Sequence, residues 1–213
     1  MKTDSLRPKY DTCFFERYAK ATLVTILGES YAGLVNLDRP DLQDVSRGLG
    51  IEVTRAMNES KADAISLLNE MAADVVVRQP EMTNHQLYSY GYTYGLVDGF
   101  IVGPAEYRYW CEASPLNHVI ENKVSKMIRG FYGHFERSGL YIFSKDDITV
   151  PELMLSLKRV NELQSGSDLR FDTLYISEIQ TLYVCDVVTM SYTSYPISDE
   201  MCRHFFDVSV REG

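Results

Sequence analysis

The chain has 213 residues and a formal net charge of −9 at pH 7, with 45% hydrophobic and 24% charged residues. These values are typical of a globular protein with one sizeable domain, and the acidic excess argues against wrapping nucleic acid by bulk electrostatics. No apolar run reaches the roughly 18 residues of a membrane span. Four widely spaced cysteines without a CxxC pair indicate reduced thiols in a cytoplasmic protein.

The first part of the chain predicts a helix followed by two paired strands. Apolar residues recur at three- and four-residue steps over about 12–30, which is typical of an amphipathic helix. Two short strands are predicted, at roughly 34–37 and at 49–55, and an extension of the first through 42 stays open. The loop 43–48 between them favours antiparallel pairing. A second helix is predicted from Asn58 to about Ala73.

The middle of the chain contains an insertion at about 78–116, in which tyrosines alternate with small residues between regularly placed glycines. The pattern predicts a hairpin or loop that packs its own aromatic side chains. The alternative is a surface that stacks bases or binds a partner. Spacing alone leaves both interpretations open.

The rest of the chain alternates helices and strands. Helices are predicted over about 117–132 and 151–164, and strands over 140–143, 171–176 and 181–186. The tail, 187–213, supports no firm prediction. A strand pair followed by this alternation predicts one α/β domain over residues 1–213, with a mixed β-sheet flanked by helices on both faces.

Two acidic residues follow the apolar segments of the predicted strand pair. Asp41 and Glu52 would be costly on buried strands unless an ion pair, a shifted pKa or a bound cation neutralised them. Two carboxylates on neighbouring strands make an oxygen-ligand site that suits Mg²⁺ or Mn²⁺. The alternative is that a buried salt bridge neutralises the acidic pair, for example one between Asp41 and Arg47 or Arg55.

The order of these elements resembles the core of the PD-(D/E)xK nuclease superfamily, which has a restriction-endonuclease-like fold. The matching residues are Pro40-Asp41 on one strand and Glu52-Val53-Thr54 on the next, after a helix. The resemblance covers about residues 10–75 well and the later alternation more loosely. It implies a Mg²⁺-dependent nuclease that hydrolyses DNA or RNA phosphodiesters, because that reaction needs an activated water and relief of charge on the phosphate.

The resemblance also implies a set of metal ligands. Asp41 and Glu52 would ligate Mg²⁺ or Mn²⁺, with the backbone carbonyl of Val53 as a further ligand. Glu16, on the first helix, matches an acidic residue that several branches of the superfamily use as a helper. Asp38 is either a second ligand or a turn residue, and the turn is the favoured interpretation.

The third signature position of the superfamily, normally lysine, is Thr54 in this chain. Strand alternation puts Glu52 and Thr54 on one face and Arg55 on the other, so Arg55 is a poor substitute. The Thr54 hydroxyl can orient a water but brings no positive charge. Related branches carry the lysine on a neighbouring helix, and Lys123 and Lys126 are the catalytic candidates there. The alternative for each lysine is a solvated helix face.

Two other classes of function stay open. The absent lysine and the acidic surface favour a catalytically inactive nuclease-fold protein that binds a protein or nucleic acid. A self-assembling protein, such as a homodimer built on the segment 88–110, is the third class. The histidines show no ligand spacing, and neither a Walker-type loop nor a GxGxxG or GxSxG motif is present.

Overall fold

The computed structural model describes residues 13–56, 95–97, 100–102, 115–144 and 147–211. Within them a seven-stranded mixed sheet carries α-helices on both faces, which confirms the predicted α/β class. No helix in these ranges is long and apolar enough to cross a membrane.

The helices and strands of the described ranges are named here in chain order. The α-helices are α1 (Phe14–Leu27), α2 (Pro115–Ile128), α3 (Val150–Leu163) and α4 (Asp199–Arg211). The strands are β1 (Val35–Asn36), β2 (Leu42–Asp44), β3 (Leu49–Ala56), β4 (Gly95–Val97), β5 (Phe100–Val102), β6 (Arg137–Ser144), β7 (Thr173–Ser177), β8 (Thr181–Asp186) and β9 (Ser191–Pro196).

The main sheet has the strand order β1-β2-β3-β6-β7-β8-β9. Its centre, β3-β6-β7, is parallel, and the other neighbours are antiparallel. Parallel neighbours need crossover connections. Accordingly, α2 lies in the chain between β3 and β6, and α3 lies between β6 and β7.

The segment between β3 and α2 contains a separate antiparallel pair, β4 and β5. This pair is the antiparallel arrangement expected of a hairpin, while the choice between packed aromatic side chains and a binding surface stays a prediction. The remainder of the insertion, and the helix predicted at 58–73, lie outside the described residues.

Alternation along the strands divides the apolar side chains between two cores. Ile51 and Val53 of β3 pack on the face covered by α1 and α4. Leu140 and Ile142 of β6 pack on the opposite face, which α2 and α3 cover. Because Glu52 alternates with its two neighbours on β3, its side chain lies on the α2 face.

The strand predicted at roughly 34–37 is present as β1, but it is exposed rather than buried and does not extend to 42. The structure has two short strands there, separated by a turn in which the Leu37 N–H donates to the Asp41 carbonyl at 2.9 Å. Leu37 is 50% exposed. The cause is local, because Pro40 has no N–H for a ladder and Arg39 has a φ of 63°, in the left-handed region. Asp41 therefore lies in the turn before β2 rather than on a strand.

The other predicted elements in the described ranges are confirmed, with shifts of a few residues at their ends. The helix predicted over 12–30 ends at Leu27 and continues as a 3-10 turn, Glu29–Tyr31. α3 begins in a capping box, where the Thr149 side chain and backbone exchange hydrogen bonds with Glu152. The tail, which lacked a firm prediction, forms β9 and α4.

Gly139→Ala should destabilise the sheet centre. A Cβ atom at Gly139 would lie 2.8 Å from Cε2 of Tyr175 and 3.3 Å from Cγ1 of Ile51. The Tyr175 ring is stacked on Tyr141 and cannot move away freely. Overpacking of this kind lowers the free energy of unfolding by about 1–3 kcal/mol. Urea denaturation measures the loss, with Ser194→Ala on the exposed β9 as control; equal stability of the two variants would contradict it.

Candidate functional site

Pairing of β2 with β3 brings Asp41 and Glu52 together. Leu42 is opposite Ile51 in the antiparallel register, so the next position along sets Asp41 opposite Glu52. Oδ2 of Asp41 accepts a hydrogen bond from the Val53 backbone N–H at 2.8 Å. This bond holds the Asp41 side chain against β3 just beyond the end of β2.

Helix α2 supplies a positive charge to the same place. Nζ of Lys123 donates to Oε1 of Glu52 at 2.6 Å, and the side chains are only 18% and 9% exposed. A charge-assisted hydrogen bond of this length is among the stronger side-chain contacts in proteins. Of the two candidate lysines, Lys123 is therefore the one that reaches the carboxylates.

The two carboxyl groups hold their protons more tightly than solvent-exposed acids do. Burial is the main cause that raises the pKa of Asp41, opposed by the Val53 hydrogen bond and by the charge of Lys123. Burial also raises the pKa of Glu52, where Lys123 opposes the rise and Asp41 adds to it. One ammonium thus lowers the pKa of two interacting carboxyl groups. With both carboxyl groups ionised, these three side chains together carry a net negative charge.

Glu16 approaches from α1, on the other side of the sheet. Its Oε2 atom is buried and has no hydrogen-bond partner in the described part of the chain. Burial raises the pKa of Glu16, and the charge of Asp41 raises it further while Arg55 opposes the rise. An orphaned carboxylate oxygen is costly in a fold, and a cation is one group that would satisfy it.

The buried salt bridge that was the alternative for the acidic pair is present, but it joins Glu52 to Lys123, and the two arginines offered as examples have other partners. Arg47 pairs with Asp44 at 3.4 Å. Arg55 lies on the α1 face, as strand alternation predicts, with its Cζ 4.6 Å from the Phe15 ring centroid. Among the described residues neither guanidinium forms an ion pair with Asp41, and the cation at the cluster is an ammonium.

Tyr132 is a neighbour of the cluster that the sequence analysis missed. Its hydroxyl oxygen is buried and has no hydrogen-bond partner among the described residues. Burial raises the pKa of Tyr132, and the nearby Glu52 charge raises it further. The residue follows α2 by a few positions, and no spacing in the sequence connects it with Glu52.

Thr54 and Val53 lie where the strand pattern predicts. Thr54 is half-buried on the same face of β3 as Glu52 and makes no side-chain hydrogen bond with the described residues. The N–H and C=O of one strand residue point to the same side. Since the Val53 N–H reaches Asp41, the Val53 carbonyl also faces the Asp41 side.

Two other predicted residues lie apart from the carboxylates. The Asp38 side chain is 85% exposed and pairs with Arg39 at 3.5 Å, which favours the turn interpretation over a metal ligand. Lys126 is exposed, and its Nζ lies 5.3 Å from the Phe131 ring centroid. Neither residue is part of the cluster formed by Asp41, Glu52 and Lys123.

The donor set fits a hard divalent cation. Asp41, Glu52 and the Val53 carbonyl offer oxygen atoms, and Mg²⁺ is commonly held by one or two carboxylates together with waters and substrate oxygens. No group of three or more His, Cys, Asp or Glu side chains in the described ranges gathers to hold a metal by itself. The oxygens that could hold such a cation here are therefore those of the Asp41 and Glu52 carboxylates and the Val53 carbonyl.

Comparisons with protein-family models, with curated proteins and with solved structures find no match to this chain. The interpretation of the site accordingly depends on its own geometry and chemistry.

Asp41→Asn should stabilise the fold at neutral pH. A carboxyl group whose pKa is raised by folding costs stability above that pKa, and the cost disappears as the pH falls toward its ordinary value of 3.8. Asparagine keeps an oxygen that can accept the Val53 N–H. We expect the variant to exceed wild type by about 1 kcal/mol in the free energy of unfolding at pH 7, with the difference shrinking toward pH 4.

Urea denaturation at both pH values tests this expectation. Asp172→Asn is a matched control, because Oδ2 of Asp172 also accepts a backbone N–H, from Ser138 at 2.9 Å, but lies outside the carboxylate pair. A loss of stability in Asp41→Asn at pH 7 would mean that the Asp41 charge stabilises the fold.

Proposed function

We propose that this chain is a Mg²⁺- or Mn²⁺-dependent nuclease that hydrolyses phosphodiesters of DNA or RNA. The observation that carries the proposal is the convergence of Asp41, Glu52 and Lys123 in a half-buried cluster, with a 2.6 Å contact between the last two. Two carboxylates and one ammonium together meet the demand of phosphodiester hydrolysis for cation ligands and for a positive charge near the phosphate.

The proposal includes a restriction-endonuclease-like core. The resemblance calls for a helix, then two neighbouring strands that carry the acidic residues, then further helices and strands. The chain supplies α1, the antiparallel pair β2 and β3, the crossover helix α2 and the parallel strand β6. Asp41 and Glu52 flank the β2–β3 pairing at one end, which supports this assignment of the core.

In the proposed site, Asp41, Glu52 and the Val53 carbonyl would hold the cation, and Glu16 would contribute through its orphaned Oε2. The bound ion would supply Lewis-acid activation of a water and neutralise charge on the phosphate. The Val53 N–H keeps the Asp41 carboxylate oriented. Thr54, on the Glu52 face of β3, offers a hydroxyl that can orient a water by hydrogen bonding.

Lys123 would take the part of the lysine that is absent at position 54. Its ammonium lies on the Glu52 face of the sheet and comes from the helix that follows β3 in the core. At this position it can stabilise negative charge that develops on a phosphate oxygen. Lys126, which is exposed and lies away from the carboxylates, is not assigned this role.

The second candidate function is a catalytically inactive nuclease-fold protein that binds a protein or nucleic acid. One observation favours it: the Lys123 ammonium already neutralises Glu52 without a metal. In an inactive relative this ion pair would replace the cation, and neither cleavage nor metal binding would be seen.

Purified protein should cut nucleic acid with Mg²⁺ or Mn²⁺, and Asp41→Ala or Glu52→Gln should abolish cutting. Each change removes a proposed cation ligand, so we expect losses of 100-fold or more in the cleavage rate. Glu121→Gln is the matched control, because this glutamate lies on α2 in an exposed pair with Arg159. Gel assays with labelled DNA and RNA, with and without chelator, measure the rates.

Two outcomes would contradict the nuclease proposal. One is a metal-independent background that is equal in wild type and both variants. The other is an unchanged melting temperature when millimolar Mg²⁺ or Mn²⁺ is added, because a cation bound only to the folded state must raise it. Either result favours the inactive relative.

Lys123→Met should slow cleavage by about 100-fold, because it keeps the apolar stem and removes the ammonium. Lys158→Ala, an exposed lysine in a 3.8 Å pair with Glu162, is the control and should cleave at the wild-type rate. Single-turnover cleavage rates measure the effect. Equal rates in both variants would leave Thr54 as the occupant of the third position.

A further inference from the structure

We propose that Arg39 and Lys126, gathered around the ring of Phe131, form a clamp for the phosphate backbone of a nucleic-acid strand beside the candidate site. These three residues are called the Phe131 clamp below. The proposal rests on the proposed nuclease function for the identity of its ligand, and it concerns binding rather than the cleavage step.

The clamp holds two cations against one exposed aromatic ring. The Arg39 guanidinium carbon lies 4.7 Å from the Phe131 ring centroid, and Nζ of Lys126 lies 5.3 Å from it. Both distances are within the range of cation–π attraction. Phe131 is 44% exposed. The ring therefore offsets part of the repulsion between two positive charges and keeps both at the surface.

The positive charge of the clamp is poorly balanced by acidic groups. Within the described ranges the side chain of Lys126 forms no ion pair or hydrogen bond. Arg39 pairs only with its sequence neighbour Asp38, at 3.5 Å, with both side chains largely exposed, a contact that water and salt weaken. The negative end of the α2 dipole stabilises the charge of Lys126 in the last turn of the helix. It does not account for the position of Arg39 or for the exposure of the Phe131 ring. In a chain with a net charge of −9, such a cluster points to an anionic ligand.

The clamp uses two of the segments that build the candidate site, helix α2 and the turn before β2. Lys126 follows Lys123 by three positions on α2, so the two lie on neighbouring parts of one helix face. Arg39 precedes Asp41 by two residues in the turn before β2. A nucleic-acid strand that places one phosphate at the carboxylate cluster would therefore bring the next phosphate near the clamp.

The ligand class follows from how the ring is used. Because two cations lie against the Phe131 ring, the clamp offers positive charge rather than a free face for stacking a base. Contacts to phosphates position a strand without reading its sequence. The clamp should therefore bind DNA and RNA strands of any sequence, and a polyanion should bind better than a single phosphate group.

The test is the salt dependence of binding in chelator, where no cleavage occurs. Fluorescence anisotropy with labelled single-stranded DNA and RNA of one mixed sequence is measured between 50 and 200 mM salt. The plot of log K against log salt has a negative slope, and each lost phosphate contact reduces its magnitude by about 0.7 for single strands. For the Arg39→Ala, Lys126→Ala double variant we expect the magnitude of the slope to fall by about 1.4 and binding at 100 mM salt to weaken roughly tenfold.

Matched controls and a competitor separate the possible sources of the anion. Arg203→Ala with Lys158→Ala removes two exposed cations elsewhere, on α4 and α3, and should leave the slope unchanged. Phe131→Leu should weaken binding in the same direction as the double variant. Inorganic pyrophosphate should compete far more weakly than an unlabelled oligonucleotide, whereas equal competition would mean a site for free phosphates and would overturn the backbone assignment.

An unchanged slope in the double variant, or no binding by the wild type, overturns the clamp. Cleavage by the wild type with an unchanged slope means that the nuclease proposal holds and the clamp is wrong. A lowered slope without any cleavage means that the clamp holds and the nuclease proposal is wrong.

Discussion

Burial of two carboxyl groups beside a single ammonium is the constraint on which this structure depends. Asp41 and Glu52 are partly or fully buried, and among the described residues Lys123 is the cation that contacts Glu52 directly and lowers the pKa of both carboxyl groups. Burying charge with incomplete compensation works against folding. Carboxyl groups with perturbed pKa values are often found at functional sites, which makes this end of the β2–β3 pair the candidate site of the described fold.

The pairing of β3 with its two neighbouring strands fixes the positions of Asp41 and Glu52. The antiparallel register sets Asp41 opposite Glu52, and the parallel register with β6 places Glu52 on the face that α2 covers. A one-residue slip of β3 would turn Glu52 into the core under α1. The apolar residues that alternate with it, Ile51 and Val53, prevent the slip because they fill that core. Packing and chemistry are thus specified by the same strand.

Charges of opposite sign lie in two neighbouring parts of this acidic protein, the carboxyl groups at the candidate site and the two cations of the Phe131 clamp. The carboxyl groups of Asp41 and Glu52 are buried at the end of the β2–β3 pairing, whereas Arg39 and Lys126 are exposed beside Phe131. A local cluster of cations of this kind can create a positive surface potential on a protein whose net charge is negative.

The sequence by itself determined the α/β class and most helices and strands, because hydrophobic periodicity and strand alternation are local properties. It singled out Asp41 and Glu52 as candidates, but it placed Asp41 on a strand, and only the tertiary structure shows Asp41 in the turn before β2, opposite Glu52. The sequence left open which lysine reaches the carboxylates, since Lys123 and Lys126 lie on the same helix and differ only in its rotation against the sheet. Tyr132, Arg39 and Phe131 were beyond the reach of any spacing rule. Tertiary packing alone decided these contacts, because they join residues that are distant in the chain and become neighbours only when α2 closes over β3.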